Sequence, residues 1–278
     1  MLRSATLLLG ICVAITLYVC RRATRLLKRR RLYVMRHGIK QENLLSRDNY
    51  STELRPEGIK ALAVLRTYLD EHGVRFASTL SSPFLRCRQT AEVLVPHHQI
   101  EPGLAETLND RCGLRDGSGG SGTLARVVQL VQATVEGCAR DKLPRKWSPL
   151  VSASELERDE GSHNPQSMAR ARTLVDRLKV RCPLDGDWPI LLVTHGCAAH
   201  GIIQACLHPG QVPTWDKSFC PPMGAMTVLE TSDGGGSWSI VGTVCPVLRS
   251  RGSATGDDDA WECRWSAGIV GGADPAGL

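Results

Sequence analysis

Apolar positions along this chain fall into short unbroken runs and longer stretches where they recur every three or four residues. Leu32-Tyr33-Val34-Met35 and Ile190-Leu191-Leu192-Val193 are too short for a helical period and predict buried strands. Phe76 to Ser81 is a third strand candidate. Leu54, Gly58, Ile59, Leu62, Leu65 and Leu69 follow helical spacing, with Pro56 suited to the first turn and Gly73 closing the run. Thr123 to Cys138, Pro165 to Val180 (through Met168, Ala171, Leu174, Val175 and Leu178) and Ala198 to Leu207 predict further helices. Met226 to Glu230 and Trp238 to Val244 alternate like paired strands across the turn signal Asp233-Gly234-Gly235-Gly236. Ile39 to Ser51 reads as a loop, Gly113 to Gly122 as a flexible surface connection, and Lys142 to His163 as a polar stretch with no assignable element.

The two ends of the chain differ from this pattern. Ala5 to Cys20 is sixteen residues without a charge, just long enough with Leu2 and a snorkelling Arg3 to cross ~30 Å of hydrocarbon. Arg21, Arg22, Arg25, Lys28, Arg29, Arg30 and Arg31 crowd its carboxyl flank, the reverse of a cleaved signal peptide. The positive-inside rule then predicts a single-pass anchor with the bulk of the protein facing the cytosol. A hydrophobic first helix packed on the domain is the alternative. From Arg249 onward Gly, Ser, Ala and Asp dominate, which predicts a disordered tail, with Trp261 and Trp265 as the residues able to dock. The expected organisation is therefore an anchor and basic flank over 1–31, a domain over 32–248 and a tail over 249–278.

Composition changes little. Hydrophobic residues at 42% and charged residues at 22% are ordinary for a globular domain. The net charge of +6 resides in the basic block, so it does not point to nucleic acid. Eleven cysteines form no C-x-x-C pair and are odd in number, which favours scattered thiols over disulfides or a metal site.

Candidate chemistry gathers just after the predicted strands. The first ends at Arg36-His37-Gly38, with Asn43 beyond it, and the strand at 190 ends at Thr194-His195-Gly196. Phe76 to Ser81 leads into Ser82-Pro83-Phe84-Leu85-Arg86-Cys87-Arg88-Gln89-Thr90-Ala91-Glu92, and Glu101-Pro102-Gly103-Leu104-Ala105-Glu106 follows as a turn. Ligands in open α/β sheets sit past the carboxyl ends of strands, so these side chains are candidates for one crevice. The Arg-His-Gly corner, the block from Ser82 and Thr-His-Gly, in this order, resemble the histidine phosphatase superfamily, the phosphoglycerate-mutase-like family. The resemblance implies a three-layer α/β/α sandwich with a mostly parallel central sheet, here preceded by a transmembrane helix. Two departures stand out: Ile39 replaces a usual glutamate, and Arg55 a usual threonine.

A phosphoryl group carries charge on three oxygens, and its transfer depends on positioning and charge stabilisation. Arg36 and Arg86 offer planar forks for those oxygens, with Asn43 and Ser82 as hydrogen-bond donors. A neutral His37 can attack phosphorus and split the reaction in two, and the resemblance implies a backbone carbonyl near Gly38 holding its other nitrogen. His195 would add a cation. Glu106, whose position after Glu101-Pro102-Gly103-Leu104 resembles the family's acid-bearing turn, is the candidate proton donor to the leaving alkoxide, kept protonated beside phosphate, with Glu101 as its competitor. His97, His98, His163, His200 and His208 read as surface or packing residues. No cofactor and no metal is called for.

The expectation is thus a membrane-tethered phosphomonoesterase acting on a phosphorylated small molecule or phosphoprotein. A phosphoglycerate mutase-type phosphotransferase is the enzymatic alternative. It is disfavoured because the segment after Glu106 lacks paired basic residues for a sugar-acid phosphate. A phospho-ligand-binding adaptor with little turnover is the alternative from another class.

Overall fold

The computed structural model describes residues 30–41, 50–106, 121–140, 148–159, 165–181, 189–207, 221–231, 238–248 and 260–267. In chain order they form β1 (Arg30–Arg36), α1 (Pro56–Glu71), β2 (Ser78–Ser81), α2 (Leu85–Leu94), β3 (Gln99–Ile100), a 3-10 turn (Pro102–Leu104), α3 (Ser121–Arg140), α4 (Ala153–Asp159), α5 (Pro165–Arg181), β4 (Ile190–Thr194), α6 (Gly196–Cys206), β5 (Met226–Thr231), β6 (Ser239–Leu248) and β7 (Trp261–Ala267).

The seven strands make one sheet in the order β3-β2-β4-β1-β5-β6-β7. β1 and β4 are buried on both sides, as their unbroken apolar runs require. Successive side chains of a strand point to opposite faces, so Leu32, Val34, Ile190 and Leu192 enter one core with Leu174, Leu178, Ile202 and Ile203 of α5 and α6. Tyr33, Met35, Leu191 and Val193 enter the other core, with Leu62, Leu65 and Leu69 of α1 and Cys87 and Ala91 of α2. This gives the three-layer α/β/α arrangement.

Three expectations need correction. The sheet is mixed rather than mostly parallel. β3-β2-β4-β1 run parallel, while β5, β6 and β7 add antiparallel. Antiparallel neighbours need only a short connection, so the strand pair at 226–248 extends the sheet without a crossover helix. Residues 261–267, expected within a disordered tail, instead form β7, paired with β6 from Gly242↔Ala267 to Leu248↔Trp261. There Trp265 packs on Gly242, where a Cβ would lie 2.3 Å from its ring, and Cys263 reaches the second core. The biased composition on either side masked this short alternating segment.

The domain also starts earlier than residue 32. Arg30 is buried and pairs with Thr231, and Arg31 Nε donates to Glu230 Oε2 at 3.0 Å, so the last two residues of the basic block belong to β1. The apolar run Ala5 to Cys20 lies outside the described residues, as does the basic flank up to residue 29 and most of the Gly113 to Gly122 loop. No helix among the described residues is long and apolar enough to cross a membrane.

The polar stretch 142–163 contributes α4, and Leu150, Val151, Ala153 and Leu156 from this region are buried in the first core. α1 begins at Pro56 without a side-chain cap, and Arg55 N–H instead donates to the Ile39 carbonyl at 2.8 Å. Gly58 lets the helix lie directly on that segment, since a Cβ there would stand 2.5 Å from Ile39 O. Gly73, at φ 65°, ends the helix in the left-handed conformation.

Candidate active site

β1 and β4 are neighbours and pair in parallel with Arg36 opposite Thr194. The residues that follow each strand, His37 and His195, therefore emerge side by side. Their rings lie 5.4 Å apart between centroids, and His37 N–H extends the ladder by donating to Thr194 O at 2.8 Å. β2 lies on the other side of β4 and ends at Ser82, whose N–H donates to Val193 O at 2.9 Å. α2 then starts after Phe84 and places Arg86 in its first turn. His37, Ser82, Arg86 and His195 are all buried.

His37 Nδ1 lies 2.8 Å from Gly38 O. A carbonyl can only accept, so Nδ1 carries the proton and Nε2 keeps its lone pair. Gly38 is held in turn, its N–H donating to Thr90 Oγ1 at 3.0 Å while the Thr90 hydroxyl donates to Arg86 O at 2.7 Å. Burial, then the charges of Arg86 and Arg36, push His37 well below the ordinary histidine range, so the ring is neutral at pH 7.

His195 accepts at Nδ1 from Arg86 Nη2 at 3.0 Å, since guanidinium can only donate. Its Nε2–H then donates to Ser82 Oγ at 2.8 Å. The ring stands edge-on to Phe84, 4.8 Å between centroids. Burial first, then Arg86, His37, Arg170 and Arg36, lower its pKa well below the ordinary value.

Glu101 and Glu106, the two carboxylates that bound the turn, have different fates. Glu106 pairs with Arg86 Nη2 and lies 3.8 Å from His195 Nδ1, with its side chain 21% exposed. Glu101 is fully buried and accepts from the N–H groups of Gly103, Leu150 and Val151, which makes it a structural brace. Arg36 donates through Nη1 to Pro221 O at 3.0 Å, and its buried Nε has no hydrogen-bond partner among the described residues. That unused donor points to a ligand acceptor.

The structure thus brings together Arg36, His37, Ser82, Arg86, Glu106 and His195, while Asn43 lies outside the described residues. The sequence reading missed Thr90, Thr194 and Arg170, which bond the backbone around the site. It also missed Cys87, whose thiol lies 3.5 Å from His195 Nε2 and is pushed up to about 12 by burial. The one signal for Arg170 was a cation beside the apolar stripe of α5, directly before Ala171 and four residues before Leu174. His200, expected at the surface or in packing, is buried in α6. No group of three or more His, Cys, Asp or Glu among the described residues is placed to hold a metal ion.

Residues 32–118 match the family model described as Histidine phosphatase superfamily (branch 1), and the match contains five of these six site residues, all but His195. Over this segment the chain is similar to the histidine phosphatase superfamily. Among curated proteins, this chain is 26% identical over 176 residues to a broad-specificity phosphatase of Saccharomyces cerevisiae, covering 63% of this chain and 69% of the yeast protein. It is 35% identical over 79 residues to an uncharacterized protein of Picosynechococcus sp., covering 27% of this chain and about half, 48%, of that relative. Among solved structures, the ecdysone phosphate phosphatase from Bombix mori, in complex with tungstate, superposes with a TM-score of 0.53 at 16% identity. That match covers 82% of this chain and 98% of the other, and supports the shared fold.

Proposed function

We propose that this chain is a phosphomonoester hydrolase that works through a phosphohistidine on His37. The observation that carries the reading is the paired fixing of the two imidazoles. Gly38 O holds the proton of His37 on Nδ1, leaving Nε2 as nucleophile, and Arg86 bridges His195 to Glu106 beside it.

In the first step His37 Nε2 attacks phosphorus and the ester P–O bond breaks. Arg36 and Arg86 bind the phosphoryl oxygens, and the departing alkoxide takes a proton from Glu106. A bound dianion gives Arg86 a second partner and favours the protonated form of His195, which adds positive charge where negative charge accumulates. In the second step Glu106 accepts a proton from water as that water attacks the phosphohistidine. The P–N bond breaks, phosphate leaves and His37 returns to its starting form. The phosphatase named among the relatives is consistent with water as the final acceptor. An adaptor role would leave a neutral, tautomer-fixed His37 without a use.

The apolar run Ala5 to Cys20 is read as a membrane anchor. Only residues 21–29 separate it from β1, so the domain would stand close to the bilayer surface. The five cations Arg21, Arg22, Arg25, Lys28 and Arg29 on that flank, worth ~1 kcal/mol each near an anionic leaflet, favour a cytosolic orientation.

The test is acid-free quenching of the full chain during turnover of a radiolabelled aryl phosphate. An alkali-stable, acid-labile label on His37, absent in His37→Ala together with turnover, is the expected result. Label on another residue, or undiminished turnover in His37→Ala, refutes it. For the anchor, alkaline carbonate should leave the full chain in the membrane pellet, and release into the supernatant would reject a spanning segment.

A further inference from the structure

We propose that Arg170 is a positioning residue for proton transfer: by holding the Ala105 carbonyl it fixes where Glu106 leaves its turn. The inference rests on the reading of Glu106 as the acid.

Arg170 is 2% exposed, on a helix whose neighbouring residues Ala171, Leu174, Val175 and Leu178 fill the core. A guanidinium in such a place loses its hydration and is tolerated only where its donors are used. Its Nη2 donates to Ala105 O at 2.9 Å. Ala105 closes the 3-10 turn, and the next residue is Glu106.

The rest of that turn is already immobilised. The Glu101 carboxylate accepts from Gly103 N–H at 3.0 Å, and the Thr194 hydroxyl donates to Leu104 O at 2.6 Å. Gly103 is wedged so tightly that a Cβ would lie 2.8 Å from Val151 and 3.0 Å from Leu174. Each of these backbone anchors stops before Glu106, and the Arg170 bond to Ala105 is the last backbone anchor of the turn among those described; beyond it the Glu106 carboxylate itself is met by Arg86. Thr194 immediately precedes His195, so the turn carrying the acid and the strand carrying the second imidazole share one frame. The Arg170 charge is also felt at His195.

A bond that aims an acid affects the substrates that need one. General acid catalysis contributes roughly 10²–10⁴-fold, and only where the leaving group is poor. The experiment is a leaving-group series of aryl and alkyl phosphates, from p-nitrophenyl phosphate to ethyl phosphate, run on the full chain and on Glu106→Gln, Arg170→Met and Arg170→Lys. Arg170→Met should lower kcat/KM on ethyl phosphate about 100-fold while kcat/KM on p-nitrophenyl phosphate, which reports phosphohistidine formation and not the later attack of water, stays within about threefold, following Glu106→Gln in direction. Arg170→Lys, which keeps a donor, should recover part of the loss. A retained kcat/KM on p-nitrophenyl phosphate shows that the variant is folded; if Arg170→Met does not fold, Arg170→Gln, with a shorter donor, carries the same comparison. A uniform loss across the series, or no loss, in a chain where Glu106→Gln steepens the dependence overturns the role of Arg170 alone. A flat dependence in Glu106→Gln overturns the acid assignment, and the positioning role with it.

Discussion

Glu101→Gln separates the two carboxylates of the turn. In the parent, Glu101 Oε1 accepts from Gly103 N–H and Val151 N–H, both at 3.0 Å, and Oε2 accepts from Leu150 N–H at 2.6 Å. Glutamine has the same shape but one oxygen. If its carbonyl takes the Oε1 position, two bonds survive as neutral ones, and the amide NH2 meets the Leu150 N–H donor against donor. The orphaned buried donor costs about 1–3 kcal/mol, and the two surviving bonds lose the reinforcement of the charge. A total of about 3 kcal/mol is expected. With a urea slope of about 3 kcal/mol/M for a domain of this size, the midpoint should fall by about 1 M, read by circular dichroism. These bonds of Glu101 run to the backbone of Gly103, Leu150 and Val151 rather than to the imidazoles, so p-nitrophenyl phosphate turnover in water should stay within a few-fold of the parent. An unmoved midpoint would refute the brace. A selective loss on poor leaving groups in Glu101→Gln, with none in Glu106→Gln, would exchange the two roles.

Four further outcomes follow from the same geometry. Gly58→Ala should cost about 1–3 kcal/mol and lower kcat/KM about tenfold, because its Cβ would stand 2.5 Å from Ile39 O and must displace the segment after His37; parent-like kinetics would contradict the close approach. Arg36→Lys loses the fork whose Nε is unpartnered, so the inhibition constant of inorganic phosphate should rise about tenfold, and an unchanged constant would remove Arg36 from the anion site. His37 and His195 are held neutral when folded, so the unfolded chain binds more protons below the ordinary histidine value near 6.5. Stability is therefore full above that pH and lost as pH falls through it, by up to about 1.4 kcal/mol per unit for each ring, with His98, lowered to about 4, adding to the slope; urea midpoints independent of pH between 7 and 5 would refute this. Gly242→Val, whose Cβ would meet the Trp265 ring, should unseat β7 and red-shift tryptophan emission while sparing turnover.

What could be read from sequence was whatever a period or a strand end reveals. Ile190 to Val193 announces a strand buried on both faces, and the Arg36-His37-Gly38 and Thr194-His195-Gly196 corners announce side chains presented past strand ends. The choice of Glu106 over Glu101 rested on the resemblance of their turn, because the residues alone do not show where the backbone of residues 150 and 151 arrives from another part of the chain. Arg170 was hidden for a related reason: on a helical wheel it sits at the edge of the apolar stripe, where a cation is ordinarily solvated. β7 escaped because an edge strand is only half buried. Its alternation of Trp261, Cys263 and Trp265 with polar residues spans seven positions inside a biased stretch.

The site is built as a continuation of the sheet rather than as a set of loops. His37 N–H bonds to Thr194 O, Ser82 N–H to Val193 O, Glu101 N–H to Ser81 O, and Gly224 N–H to His37 O at 2.9 Å. Each strand that delivers a functional residue thus keeps its ladder for a residue or more beyond its end. A one-residue slip between β1 and β4 would turn every side chain of one strand to the other face. It would also exchange the two cores, since Leu32 and Leu192 face one and Tyr33 and Leu191 the other. The burial that fixes the fold therefore also fixes the spacing of the two imidazoles, and the ring separation of 5.4 Å needs no separate device. Glu106 lacks this support, because it lies beyond the last strand hydrogen bond of its segment. It is the proposed acid, and its placement must come from side chains: the Thr194 hydroxyl and the Arg170 guanidinium hold its turn, and Arg86 meets its carboxylate.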